Sequence, residues 1–330
     1  MSKIEKRVFV SVVCIFAILS AVLLFWYFGD TYKDFYLIAS SEFEIAGLED
    51  GYTPQGLTYE KVSKTFLTCG YMKDGSASRI YVIDAETNQT TKYFTLKKGQ
   101  ENYVGHAGGI ATDGTNVWIC GDGEVHRFSF SEIESVENGK SLTIVDSFES
   151  QNGADFLTIE NNNLWVGEFE RAKNYERPES HQFKASNGIN KALSFCYEIN
   201  SSKECGLESL TPIKALSTGS LVQGMIINND KIVLSVSYSL PNSHILCYEN
   251  ILNQSTQKTF VINGKTIPVF VLDSQNLKKD IEAPCMSEEI VDNGEKIYVL
   301  FESACKKYQA VTREQLRNVY SIKFESLENI

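Results

Sequence analysis

Five times along the chain the same two-strand phrase recurs, and this periodicity limits the fold more than any single residue does. It reads PQGLTYEKVSKTFLTCGY from Pro54, AGGIATDGTNVWICGD from Ala107 and ADFLTIENNNLWVGEFE from Ala154. It returns as VQGMIINNDKIVLSVSYS from Val222 and SEEIVDNGEKIYVLFESA from Ser287. Each copy has a short apolar strand, a polar turn, then a strand carrying one large apolar residue. Leu67, Trp118, Trp165, Val233 and Tyr298 hold that position. All-strand repeats of this length read as propeller blades rather than helical solenoids.

Counting back from the large apolar residue aligns Gly56, Gly109, Phe156, Gly224 and Glu289, with spacings of 53, 47, 68 and 65 residues. Further strand-like runs follow each unit: SRIYVIDA and TKYFTLK, EVHRFSF and LTIVDSF, ALSFCYEI and PIKALS, HILCYENI and PVFVLD. Each blade is therefore expected to hold four strands. The fifth copy supplies only NVYSIKF, so Phe43 to Leu48 is expected to pair with Asn318 to Phe324 and close the ring. Closure by an N-terminal strand removes an open sheet edge that would otherwise invite aggregation. The expected fold is an all-β, five-bladed β-propeller. Six blades is the alternative, because the third and fourth repeats are long enough to hide extra strands.

Before the ring lies VFVSVVCIFAILSAVLLFWYF, Val8 to Phe28, 21 uncharged residues. As a helix this run spans roughly 31 Å, enough for a hydrocarbon core. Lys3, Lys6 and Arg7 precede it against Glu5 alone, which places a short N-terminus in the cytoplasm and the propeller outside the cell. A cleaved signal peptide is the alternative, but the run is long and ends in FWYFGD without a small-residue cleavage pattern. The expected division is residues 1–29 as cytoplasmic N-terminus and single transmembrane anchor, 30–42 as a short tether, and 43–330 as the propeller ectodomain.

The chain carries a net charge of −11, and setting aside the +2 of its first seven residues leaves −13 on the rest. That balance disfavours nucleic acid and anionic lipid surfaces as partners. Seven of the eight cysteines follow the apolar run, an odd number with no CxxC among them. Cys69 and Cys120, at matched strand positions, read as buried thiols. Cys196 with Cys205, and Cys285 with Cys305, are candidate disulfide pairs. Glu170 to Lys191 reads as a charged surface insertion in the third repeat. Sequons stand at Asn88, Asn200 and Asn253, all in expected turns.

Propeller chemistry gathers at the central channel and on the loops at one face. The residue before the aligned column is expected to point at the axis: Gln55, Gly108, Asp155, Gln223 and Glu288, with His106 just upstream. Such a ring could hold a divalent cation, calcium or magnesium, or merely satisfy channel water. A second set emerges where the second strands end: Tyr71, Asp122, Glu168, Ser237 and Glu302. Two or three acids on one face could supply a general acid and base for glycoside cleavage, or be ordinary solvent-facing groups. His126, His181 and His244 lack metal-ligand spacing. There is no G-x-S-x-G, HExxH, P-loop, dinucleotide-binding glycine fingerprint or EF-hand loop. Trp118 and Trp165 read as inter-blade core.

The phrases PQGL, GHAGGIA followed by VW, ADFL with LWVGEF, VQGM with SVSYS, and SEEI with YVLFESACKKY resemble a group of bacterial secreted or membrane-anchored β-propeller proteins of unassigned activity. The likeness runs over most of Thr53 to Phe324. The PQGL-type blade start is also loosely similar to the gluconolactonase and strictosidine-synthase-like propellers. Those are six-bladed, and the lactonases hold a central metal through a Glu where this chain has Gln55. The expected function is a cell-surface binding or scaffold module for a glycan, peptide or protein partner. The alternative is a lactonase- or glycosidase-like hydrolase using His106, Asp155 and Glu288 in the channel.

Overall fold

The polar turns between the paired strands fold as hairpins through side chains that replace missing backbone partners. Asp113 Oδ1 accepts the N–H groups of Thr115 and Asn116 at 2.8 and 2.6 Å. Asn228 Oδ1 does the same for Asp230 and Lys231, and Asn293 Oδ1 for Glu295 and Lys296. Asx turns of this kind hold the chain, and in two of the three a glycine, Gly114 (φ 82°) or Gly294 (φ 93°), takes the left-handed position. In the third repeat Asn161 and Asn162 both adopt positive φ, 45° and 63°, the pair of left-handed residues a tight type I′ hairpin demands.

A computed structural model describes residues 3–28, 32–151 and 153–327, with the side chains of 3–5, 8 and 21–28 outside the description. The described residues form a ring of five antiparallel blades. Blade one runs outward through Tyr52–Glu60, Thr65–Met72, Arg79–Asp84 and Gln89–Lys98. Blade two comprises Gly109–Thr112, Asn116–Gly121, Glu124–Ser129 and Asp146–Glu149. Blade three holds Phe156–Glu160, Asn163–Gly167, Ala192–Glu198 and Lys214–Thr218. Blade four holds Val222–Ile227, Lys231–Val236, Ser243–Glu249 and Leu277–Ala283. Blade five joins Ser287–Asp292, Lys296–Phe301 and Asn318–Lys323 to Ala39–Glu44 from the other end of the chain. The first strands of the five blades touch one another in a closed cycle around the axis.

The extra length in the long repeats does not make a sixth blade. Lys265–Val271, which carries the PVFV of the PVFVLD run, leaves repeat four and pairs in parallel with the fourth strand of blade three. Thr259–Ile262 then adds beyond it. The fourth strand of blade four is instead Leu277–Ala283. Likewise the LTIVDSF run divides: Ser141–Thr143 pairs in parallel with blade one, and only Asp146–Glu149 completes blade two. These additions cover outer edges that would otherwise lie open.

Ring closure differs from the sequence expectation in register. The closing strand is Ala39–Glu44, four residues earlier than Phe43 to Leu48, with Ala39 opposite Ile322 and Glu44 opposite Asn318. The alternation of Phe43 and Ile45 reads as one strand, but the chain bulges between Ser41 and Glu44. It then turns at Gly47 (φ 77°) to carry Leu48 into the core. Ahead of it the helix Lys33–Ile38 buries Phe35 against Phe301 and Tyr320.

Among the described residues five apolar clusters fill the five blade junctions. The large apolar residue of each repeat sits in a different one: Leu67 between blades one and two, Trp118 between two and three, Trp165 between three and four. Val233 and Tyr298 serve the two remaining junctions. The sequence repeat is thus a junction repeat. Trp118 adds an indole N–H bond to the Cys205 carbonyl, 2.8 Å.

At the axis the first strands approach more closely than side chains allow. A Cβ on Gly224 would lie 2.7 Å from Glu289 Cα, and one on Gly109 would lie 2.7 Å from Leu157 N. Glycine is needed there for space. Glu289 enters this crowded centre. Its Oε2 accepts the N–H groups of Leu57 and Ile110 at 2.9 and 3.0 Å, and its Oε1 that of Leu157 at 3.0 Å. One carboxylate from blade five therefore ties the first strands of blades one, two and three. Burial pushes its pKa up against the pull of the three N–H donors. None of those partners can accept a proton, so the geometry suits the ionised form.

The cysteine pairings expected from spacing are not formed. Cys196, Cys205, Cys285 and Cys305 are all free and buried, as are Cys69 and Cys120, and Cys247 is buried too. Cys196 faces Lys214 and Trp165 in the ladder of blade three, while the turn after Asn200 carries Cys205 against Trp118 of blade two. No helix is long and apolar enough to cross a membrane among the described residues. The helix Lys3–Phe28 is described, with Phe9, Val12, Ile15, Phe16, Ile18 and Leu19 exposed along it. The remainder of the expected anchor, side chains 21–28, lies outside the described residues.

Candidate functional site

Each first strand begins, and each second strand ends, at one mouth of the ring. A cavity of about 620 Å³ opens there. All five channel candidates, Gln55, His106, Asp155, Gln223 and Glu288, line it, and so do Tyr71, Asp122 and Glu302 from the second set. The two expected rings are a single site because a hairpin brings its start and its end to the same rim. Glu168 and Ser237 are not in it. Glu168 is buried behind the rim, where it binds His181 Nδ1 at 2.6 Å and the N–H of Leu193 at 2.6 Å. Ser237 accepts a bond from Ser243 at 2.9 Å inside blade four. Their chain neighbours Phe169 and Tyr238 line the cavity instead.

The floor is acidic and almost dry. Gln55, Glu288 and Glu302 are 6 %, 3 % and 8 % exposed. Glu288 and Glu302 bond to each other, and burial followed by this neighbour pushes the Glu288 carboxyl well above the usual range. Burial also raises Glu302. Two carboxyl groups this close cannot both ionise, so the pair holds one proton between them. The Gln55 Nε2 group donates to Glu302 Oε2 at 2.9 Å and to the Pro54 carbonyl at 2.7 Å. Those donations mark Glu302 as the ionised member and Glu288 as the protonated one.

Aromatic walls rise on two sides. Blades one and five supply Tyr71, stacked on His106 at 4.8 Å between ring centres, and Tyr308. Lys307 Nζ lies over both tyrosine rings, 4.8 and 4.9 Å from their centres, and donates to the Tyr71 hydroxyl. His106 also donates its N–H to Asp122 at 3.2 Å. The cavity walls lower the His106 pKa, although its ring still reaches solvent. Across the axis, blades three and four supply Phe169, Tyr175 and Tyr238, with Arg171 stacked over Tyr238 at 4.0 Å.

Asp155 anchors that second wall. Its Oδ2 accepts the Phe169 N–H at 2.7 Å and a bond from Arg177, whose Nε and Nη2 donate to the Phe169 carbonyl at 3.1 and 2.8 Å. The insertion read from sequence as a charged surface loop therefore folds over the rim and contributes Tyr175 and Arg177. Sequence reasoning also missed Lys307, Tyr308 and Tyr238. The signal for the first two was present, since ACKKY follows directly on a strand-end acid.

Among the described residues no group of three or more His, Cys, Asp and Glu side chains is placed to hold a metal ion. The lactonase likeness implies a central metal, and these residues do not fit one. Gln55, standing where a Glu ligand would be, aims its amide N–H at Glu302, and the Glu288 and Glu302 carboxyl groups turn to each other.

No family model and no curated protein matches the chain. Solved structures similar to it include Myxococcus xanthus glutaminyl cyclase, at 11% identity and TM-score 0.45, covering 86% of this chain and 97% of that one. The tail fiber of Staphylococcus aureus phage P68 is similar at 9% identity and TM-score 0.49, covering 94% of this chain and 58% of that one. U3-55K is similar at 9% identity and TM-score 0.44, covering 87% and 99%. At such identities no residue role passes from these proteins to this chain.

Proposed function

We propose that the chain is a binding module that takes a sugar-sized polar ligand into its mouth cavity and is displayed outside the cell from an N-terminal membrane anchor. The observation that carries the binding reading is the cavity's make-up. Aromatic faces from Tyr71, Tyr308, Phe169 and Tyr238 stand around a floor of amide and carboxyl groups. Pockets of this size combine apolar walls with a few placed polar groups. Rings with flat C–H faces and equatorial hydroxyls present the matching surface. The chain's net charge of −11 disfavours a nucleic-acid backbone as the ligand.

Arrays of cell-wall glycans and free oligosaccharides test the reading. The purified ring is expected to bind one class, and Tyr238→Ala and Tyr308→Ala should each weaken that binding at least about tenfold, the worth of about 1.4 kcal/mol. Binding that survives both substitutions would place the ligand elsewhere. The uncharged run of residues 8–28 and the exposed apolar side chains of its first half support the anchor. Protease added to intact cells should digest the ring; a ring protected from external protease would refute that topology.

A further inference from the structure

We propose that Glu288 and Glu302 form an acid–base pair that hydrolyses a carboxylic ester carried by the ligand in the mouth cavity. This rests on the binding reading above and names the bond acted upon. The two carboxyl groups are in direct hydrogen-bond contact. Glycoside cleavage needs its carboxyls about 5–5.5 Å apart for retention and about 6.5–9.5 Å apart for inversion. The pair is too close for either. A carboxyl and a carboxylate sharing one proton suit a different task, activating water against a carbonyl.

The surroundings assign the two roles. Glu302 accepts the Gln55 amide at 2.9 Å and lies on the Lys307 side of the floor, which favours its ionised form as base. Glu288, 3 % exposed and hydrogen-bonded to Glu302, keeps the proton as acid. Lys307, held against the Tyr71 hydroxyl, is the positive charge that faces an oxyanion at this end of the cavity. Glu302 removes a proton from water as its oxygen bonds to the ester carbon, and the carbonyl electron pair moves onto oxygen. When that intermediate collapses, the carbon–alkoxy bond breaks and the leaving oxygen takes the proton of Glu288. The proton on Glu302 then crosses the shared hydrogen bond to Glu288. One water and one ester become one acid and one alcohol, and the pair is restored without an outside acid or base.

The probes are 4-methylumbelliferyl acetate and glucose pentaacetate, with the intact ring and with Glu288→Gln and Glu302→Gln. Turnover by the natural sequence is expected to fall at least 100-fold in each variant while melting temperature persists. The rate should be bell-shaped in pH, since the pair must hold one proton, neither two nor none. Lys307→Met should lower kcat with little change in KM. No acetate release from either probe by the natural sequence, or release unchanged in Glu302→Gln, would overturn the proposal. Glycan binding that persists in that case would leave the binding reading intact, so the two fail separately.

Discussion

Replacing Glu289 with alanine is expected to cost the ring at least about 3 kcal/mol of stability, since each of three buried N–H donors loses its partner at roughly 1–3 kcal/mol. Leu57, Ile110 and Leu157 all donate to this one carboxylate at the packed axis, where neighbouring glycines leave no room for a side chain. A loss of that size is a large share of the roughly 5–15 kcal/mol that holds a typical domain together. Glu289→Gln should cost less. Its single carbonyl oxygen can keep the Leu57 and Ile110 bonds made by Oε2, and only Leu157 then faces an amide N–H. Urea unfolding of the two variants checks the order, alanine below glutamine below the natural residue. An alanine variant within about 1 kcal/mol of the natural chain would show that the axial carboxylate is not structural, since one lost hydrogen bond alone is worth about that much.

A chain beginning at Glu49 is the second large effect. It lacks the strand Ala39–Glu44, which leaves Asn318–Lys323 as an open edge, and it lacks Phe35, Phe43, Ile45 and Leu48, all buried. At about 1.5–3 kcal/mol for each large side chain fully buried, these four contribute roughly 6–12 kcal/mol. Such a chain should be insoluble or melt at least about 10 °C lower, given the few degrees that each kcal/mol shifts a domain of this size. A chain beginning at Leu37 keeps the strand but not Phe35 and should fall between. One beginning at Tyr32 should match the natural protein. Equal melting of the Glu49 and Tyr32 chains would contradict closure of the ring by its two ends.

Repetition made the fold legible. One large apolar residue per repeat, from Leu67 to Tyr298, marks one junction per blade, and five junctions close a ring of five. The strands that add to a neighbouring blade were not legible, because parallel pairing of Lys265–Val271 with Lys214–Thr218 leaves no local signal. The closing strand was misplaced for a related reason: Ala39, Ser40 and Ser41 have weak strand character and gain it from the edge they cover. At the site, position relative to the repeat found Gln55, Asp155, Gln223 and Glu288, whose side chains follow the pleat. It failed at Glu168, one step out of phase with its column, and at Ser237, which bonds with Ser243 inside blade four. Glu289 stood in a column otherwise held by three glycines and a phenylalanine, and that lone charge was the available sign of a buried anion. Tyr175 and Arg177 could not be foreseen, since the salt bridge from Arg177 to Asp155 folds the insertion inward only in three dimensions.

Amide hydrogen exchange, with and without the glycan the ring selects, tests the cavity as the binding site most directly. Bound ligand should slow exchange at Gln55, at His106 and Gly108, at Asp122, across 169–177 and across 302–308, the segments that frame the mouth. The outer strands Thr259–Ile262 and Asp146–Glu149 should stay as they are. Protection confined to those outer strands, with the mouth unchanged, would contradict the account.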